Sequence, residues 1–182
     1  MKKKITLKKR LLVASMVILA IPATIATVNQ TPVIDESKLY PITNVVDGDT
    51  AKVNIDGNIY TLRIIGLNTP ETVDPRTGIE CYGKEASNRA KELLTNQSVK
   101  LEIDLTQTIR DKYNRLLVYV KLPNGDNFSE VMIKEGYAFE YTYSKSYKYQ
   151  SQFRKAQEQA KNDQIGLWNK DTCNGELKLL NK

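Results

Sequence analysis

The chain has no histidine and only two cysteines, Cys81 and Cys173. The commonest general base, a major zinc ligand, any thiolate metal cluster and any cysteine–histidine dyad are therefore ruled out. What remains is carboxylate, arginine, lysine and tyrosine, and three short stretches concentrate them. Val45 to Thr50 reads V-V-D-G-D-T, Arg63 to Glu71 reads R-I-I-G-L-N-T-P-E, and Asp111 to Arg115 reads D-K-Y-N-R. Oxygen donors suit a hard cation, a carboxylate can orient or deprotonate water, and guanidinium pairs with phosphate oxygens while staying charged. That set is sufficient for metal-assisted cleavage of a phosphodiester.

Each stretch also has a plain structural reading. Asp47 and Asp49 around Gly48 are ordinary turn residues, and arginines on half-exposed strands usually reach water. Glu71 is different in one respect. Pro70 fixes its own φ and pushes Thr69 towards extended geometry, so the carboxylate leaves the strand in a set direction. The company of the three stretches, in that order, favours the chemical reading.

The elements that must position these residues follow from periodicity. Tyr40 to Val46, then Ala51, Val53 and Ile55, then Ile59 to Ile65 alternate apolar and polar residues, with Asp56-Gly57-Asn58 as a hairpin signal. Ala86, Ala90, Leu93 and Leu94 share one face of a helix over about 84–94 that ends at Asn96, a left-handed cap. Val99, Leu101, Ile103 and Leu105 predict a fourth strand, and Leu116 to Leu122 a fifth. Asn127 and Glu130 have capping-box spacing at the start of a second helix that stops before Gly136. A third helix runs from Tyr147 or Ser151 to Lys161, with Phe153, Ala156 and Ala160 inward. Five strands with helices after the third and fifth fit an α+β fold built on a small Greek-key barrel, although periodicity does not establish closure.

The formal charge of +6 comes from the N-terminus. Lys2, Lys3, Lys4, Lys8, Lys9 and Arg10 precede the first acidic residue, Asp35; without them, basic and acidic residues are equal in number. Any attraction to nucleic acid must come from local clustering. Residues 1–28 read as an export signal, with a basic start, an apolar run from Leu11 to Ile21, and Ala26 or Ala23 at a cleavage site. An uncleaved membrane anchor is the rival, and either places the domain outside the cell. Residues 29–38 read as a flexible linker, 39–169 as the folded domain and 170–182 as a tail. In an exported chain Cys81 and Cys173 are a candidate disulfide that would pin the tail against the loop after Glu71; two free thiols are the alternative.

The three chemical stretches, with Tyr82-Gly83 before Glu85-Ala86, Tyr141-Thr142-Tyr143 after Gly136, and Gly166-Leu167-Trp168, resemble the thermonuclease family of secreted calcium-dependent nucleases. The resemblance covers roughly 39–168. It implies a five-stranded OB-fold barrel with three α-helices, acting on DNA and RNA with little sequence preference and leaving 3′-phosphorylated products; a monomer is the default oligomeric state. Position by position, it implies Glu71 as general base or water orienter, and Arg63 and Arg115 as phosphate clamps. It implies Ca2+ held by Asp49, Asn68 and the Thr69 carbonyl, with Asp47 and Asp111 in support. Tyr113, Tyr141 and Tyr143 would line the nucleotide site, with Lys112 and Lys145 at its rim. Two departures stand out. Asn68 replaces a common aspartate, and Ser144-Lys145-Ser146 lacks a proline seen in the family's staphylococcal representative. The presence of Arg63, Glu71 and Arg115 separates the chain from the rival reading, a non-catalytic nucleic-acid-binding module of the same fold.

Overall fold

The computed structural model describes residues 31–72 and 78–179. The leader or anchor expected over 1–28 lies outside the described residues, as does the end of the tail. Among the described residues no helix is long and apolar enough to cross a membrane.

Alternation builds the barrel. β1 (Tyr40–Asp47), β2 (Thr50–Ile55) and β3 (Asn58–Ile64) form an antiparallel meander, and Ile42, Ala51, Val53, Ile55, Leu62 and Ile64 point into the core. Asp56 and Gly57 both have positive φ at the β2–β3 hairpin, the primed geometry that matches strand twist. Two register shifts in β1, one between Val45 and Asp47, bend the strand and re-aim the side chains at its end. Short β4 (Leu67–Asn68) leaves the barrel after β3. β5 (Ser98–Glu102) and β6 (Leu116–Lys121) complete the wall. β6 runs parallel to β3 with Leu117 opposite Arg63, and β5 pairs back to β1 through Val99 and Tyr40. The order β1-β2-β3-β6-β5 closes, so these five strands present no open edge.

Three helices cover the barrel. α1 (Gly83–Leu94) buries Ala86, Ala90 and Leu94 and is followed by Asn96 at φ 60°, the left-handed position expected there. In α2 (Phe128–Lys134) the Asn127 side chain accepts from the Ser129 amide. Glu130 does not complete a capping box; its carboxylate accepts from Gln152 of α3 (Gln150–Asn162) instead. β7 (Phe139–Glu140), which sequence periodicity does not reveal, pairs with β4 as a two-stranded sheet beside the barrel.

The fourth strand is shorter than the alternation predicts. It ends at Glu102, and Leu105, expected inward, is 95% exposed. Asp104 is the cause. Its buried carboxylate accepts from the Tyr119 hydroxyl (2.6 Å), the Lys148 amide (2.8 Å), and the Thr106 amide and hydroxyl. A turn closed on a buried carboxylate outweighs continued alternation.

The two cysteines form a disulfide, Cys81–Cys173. The tail lies beside α1's entry, where the Cys81 amide donates to the Lys178 carbonyl and Glu80 pairs with Leu179. In the stretch read as a linker, residues 31–38 are described. Ile34 packs against the core, the Tyr40 hydroxyl bonds residue 35, and Glu36 accepts from the Ile103 amide.

Burial pushes the Asp104 carboxyl up, but its hydrogen bonds outweigh this and hold it below the ordinary carboxylate value. A depressed carboxyl stabilises fully above its unfolded value, about 4, and that stabilisation fades as pH falls through the folded value. Asp104→Asn puts a donor where two donors converge and should cost about 2–3 kcal/mol at neutral pH. Urea unfolding at neutral and acidic pH checks this: the deficit should shrink on acidification, and a constant deficit would show that the ionised carboxylate is not what matters.

Candidate active site

Arg63 is the penultimate residue of β3, flanked by β2 and β6, and it is only 14% exposed. A guanidinium so enclosed needs acceptors on every side. Gly66 supplies the local geometry. Its φ of +87° is open to glycine, and a Cβ there would lie 2.6 Å from the Phe153 ring. The chain doubles back, so Nη1 of Arg63 donates to the Ile64 carbonyl (2.7 Å) and the Leu67 carbonyl (3.0 Å). The turn is braced from behind, where Ser129 donates to the Ile65 carbonyl and the Tyr141 amide to that of Gly66. Nη2 faces Asp49 at 3.1 Å and Asn68 Oδ1 at 3.4 Å.

The acidic residues gather around that guanidinium. Asp49 accepts from the Thr50 hydroxyl at 2.8 Å. Asp47 is buried and accepts from the Gly48 amide (2.7 Å) and the Thr72 hydroxyl (2.9 Å). Burial, opposed by those two hydrogen bonds and reinforced by the charges of Asp49 and Glu71, pushes its carboxyl up to about 6. Glu71 follows buried Pro70, and its amide donates to Glu80 Oε2 at 2.8 Å.

Arg115 enters from the loop before β6. Asp111 accepts from its amide (2.9 Å) and its Nε (2.7 Å), and Thr50 Oγ1 lies 3.5 Å from Nη1. A cleft of ≈ 520 Å³ collects these groups, lined among others by Asp47, Asp49, Arg63, Asn68, Glu71 and Arg115. Tyr141 and Tyr143 form one wall, their rings 6.4 Å apart. Tyr113 does not line it. That ring is 67% exposed, with the Arg115 guanidinium 5.3 Å and the Lys112 ammonium 5.0 Å from its centre, so Tyr113 and Lys112 sit at the rim. Lys145 is exposed on the loop after Tyr143. Three further groups had no sequence signal for this site. Glu80 holds the Glu71 amide, Thr72 caps Asp47, and Leu177 brings the tail into the cleft wall.

Residues 61–170 match the family model described as staphylococcal nuclease homologue. The chain is 45% identical over 129 residues to the thermonuclease of Staphylococcus hyicus, covering 71% of this chain and 75% of that protein. It belongs to the staphylococcal nuclease family. Similarity extends to the thermonuclease of Staphylococcus intermedius, 43% identical over 130 residues (71% and 75% of the two chains). It also reaches the SPbeta prophage-derived endonuclease YokF of Bacillus subtilis, 42% identical over 127 residues, 69% of this chain and 42% of the longer protein. The closed barrel with three helices is this family's OB-type α+β fold. The matched segment holds Arg63, Asn68 to Glu71, Arg115 and both cleft tyrosines, while Asp47 and Asp49 precede it.

The residues present fit a hard cation. Among the described residues, no group of three acidic, histidine or cysteine side chains converges closely enough to hold a metal alone. Asn68 and Thr69 line the same cleft as Asp49, so neutral oxygen donors are available beside a carboxylate. Among the described residues the Thr69 hydroxyl is buried without a hydrogen-bond partner, packed against Gly48.

The two arginines are anchored differently, and lysine substitution should separate them. Arg63→Lys loses the forked contact to two carbonyls and should cost about 1–3 kcal/mol of stability as well as activity. Arg115→Lys, tied mainly to one carboxylate at a more open position, should lose activity with less than about 1 kcal/mol of stability. Urea unfolding beside nuclease assays tests this, and equal stability losses would sink it.

Proposed function

We propose that this protein is an exported, calcium-dependent nuclease that hydrolyses DNA and RNA with low sequence preference, favouring single-stranded or frayed regions. The enzyme is a hydrolase acting on phosphodiester bonds of nucleic acid, in keeping with relatives named thermonuclease and endonuclease. The observation that carries the proposal is the meeting of Arg63, Arg115 and Glu71 on one cleft with Asp49, Asn68 and Thr69.

Arg63 and Arg115 offer planar donors to the non-bridging oxygens of the scissile phosphate and stabilise the charge that grows as phosphorus becomes five-coordinate. Both side chains are already oriented by fixed acceptors, so little reorganisation is needed when that charge appears. Glu71 orients the attacking water and accepts its proton. Calcium on Asp49, Asn68 and the Thr69 carbonyl would supply Lewis-acid polarisation of the phosphate oxygens and neutralise charge. Tyr141 and Tyr143 present ring faces to bases, and stacking tolerates any base. By family resemblance the 5′ P–O bond breaks and the product keeps a 3′-phosphate. Export is supported by the basic start and apolar run of residues 1–28 and by a disulfide, which persists in oxidising compartments.

Digestion of denatured DNA by the purified protein, with calcium, magnesium or a chelator, tests the proposal alongside Glu71→Gln. Cleavage should require calcium, fall by about 10²–10⁴-fold in the variant, and give fragments whose masses carry a 3′-phosphate. Binding without cleavage under every metal would overturn it. Asn68→Asp adds a negative ligand and should lower the calcium concentration for half-maximal activity; an unchanged value would remove Asn68 from the ligand set.

A further inference from the structure

The backbone of Glu71 is fixed by residues 80–83. Its amide donates to Glu80 Oε2 at 2.8 Å, and the Glu80 amide donates back to the Glu71 carbonyl at 2.9 Å. The two contacts close a ring around one peptide segment. Gly83 completes the fit, because a Cβ there would stand 2.8 Å from that same Glu71 carbonyl oxygen. Pro70 fixes the chain on one side of Glu71 and Glu80 grips it on the other, which leaves the segment little freedom to rotate.

Glu80 is itself held from outside the barrel. It pairs with Leu179, the Cys81 amide donates to the Lys178 carbonyl at 2.7 Å, and Cys81 is bonded to Cys173. The tail between Cys173 and Leu179 thus runs as a strap from the disulfide past Glu80, with Leu177 in the cleft wall. The family match ends at residue 170, so the strap lies beyond it.

We infer that Glu80 is a positioning residue for Glu71 and that the Cys81–Cys173 strap holds Glu80 in place, so that catalytic rate depends on the strap being closed. This rests on the reading that Glu71 acts on the attacking water. Glu80 also lines the cleft, with its Oε2 taken up by the Glu71 amide. It acts by fixing where the Glu71 carboxylate begins, and small displacements of such a group are expensive in rate. A carbonyl oxygen can accept the Glu71 amide as a carboxylate does, so glutamine should serve at position 80 where alanine does not.

The test compares the full-length wild type with Glu80→Ala, Glu80→Gln, the double variant Cys81→Ser/Cys173→Ser, and Glu71→Gln. All are assayed at saturating calcium, below each variant's unfolding midpoint. Glu80→Ala should lower kcat about ten- to a hundredfold with KM within about twofold, the pattern of an interaction that matters in the transition state. Glu80→Gln should recover most of kcat, and the double serine variant should lose kcat beyond any change in Tm. A disulfide that only stabilises the fold would lower Tm and leave kcat intact below the midpoint. If Glu71→Gln is inactive while Glu80→Ala or the double variant keeps wild-type kcat, the inference falls and the role of Glu71 stands. Loss through KM, or equal impairment in alanine and glutamine, also overturns it. If Glu71→Gln keeps its kcat, the parent reading fails instead.

Discussion

The structure of the site depends on satisfying one enclosed cation. Arg63 lies at the end of a central barrel strand, where leaving a guanidinium without acceptors would cost several kcal/mol. Each acceptor it has found comes from a different constraint. The carbonyls of Ile64 and Leu67 converge because Gly66 turns the chain back, Asp49 comes from the β1–β2 turn, and Asn68 from β4. The turn holds its shape because α2 and the segment after β7 bond its outward carbonyls. A barrel, a helix and a two-stranded sheet are thus coordinated through one side chain. That side chain also lines the cleft.

Most of this framework was legible from the sequence because it rests on short-range physics. Alternation located the barrel strands, Asp56-Gly57 located the hairpin, and Asn96 marked the end of the first helix. The three stretches with paired carboxylates and arginines also meet at one cleft, Tyr113 and Lys112 standing at its rim. Misreadings arose where a long-range contact overrode a local rule. Leu105 continues the alternation of its strand, yet Asp104 gathers donors from Tyr119 and Lys148, 15 and 44 positions downstream. Glu130 stands at capping-box spacing but meets Gln152 across the helix pair. The β4–β7 sheet is two residues wide, too short for any period, and exists only because the barrel brings its strands together. Glu80 lies in a stretch that reads locally as a helix entry, and nothing nearby tells of its contact with Glu71.

Charge shows the same division between local and global. Beyond its basic first ten residues the chain is formally balanced, so a phosphate-binding surface has to be local. The candidate is the place where Arg63 of β3 and Arg115, from the loop just before β6, approach Asp49 and Thr50 of the neighbouring hairpin. The acidic groups there keep the arginines aimed without cancelling them. Asp111 takes Nε of Arg115 from behind, and Asp49 takes only Nη2 of Arg63. Each guanidinium is thus oriented by fixed acceptors before any ligand arrives.

The strap adds a second kind of constraint. A crosslink between residues 92 positions apart removes roughly 4–5 kcal/mol of chain entropy from the unfolded state in the simplest loop model. That benefit would be similar wherever two surface segments of such separation were joined. Its location is therefore informative. One sulfur sits next to Glu80, the residue whose carboxylate and amide bracket Glu71. Arg63 is positioned by a barrel strand and Arg115 by its two contacts to Asp111 just before β6, whereas Glu71 follows β4 on an irregular segment. A residue outside any strand, if it is to act as proposed, is held by links from elsewhere. Pro70 supplies one within the chain, Gly83 allows a helix start to close on it, and the disulfide ties the remaining side to the tail.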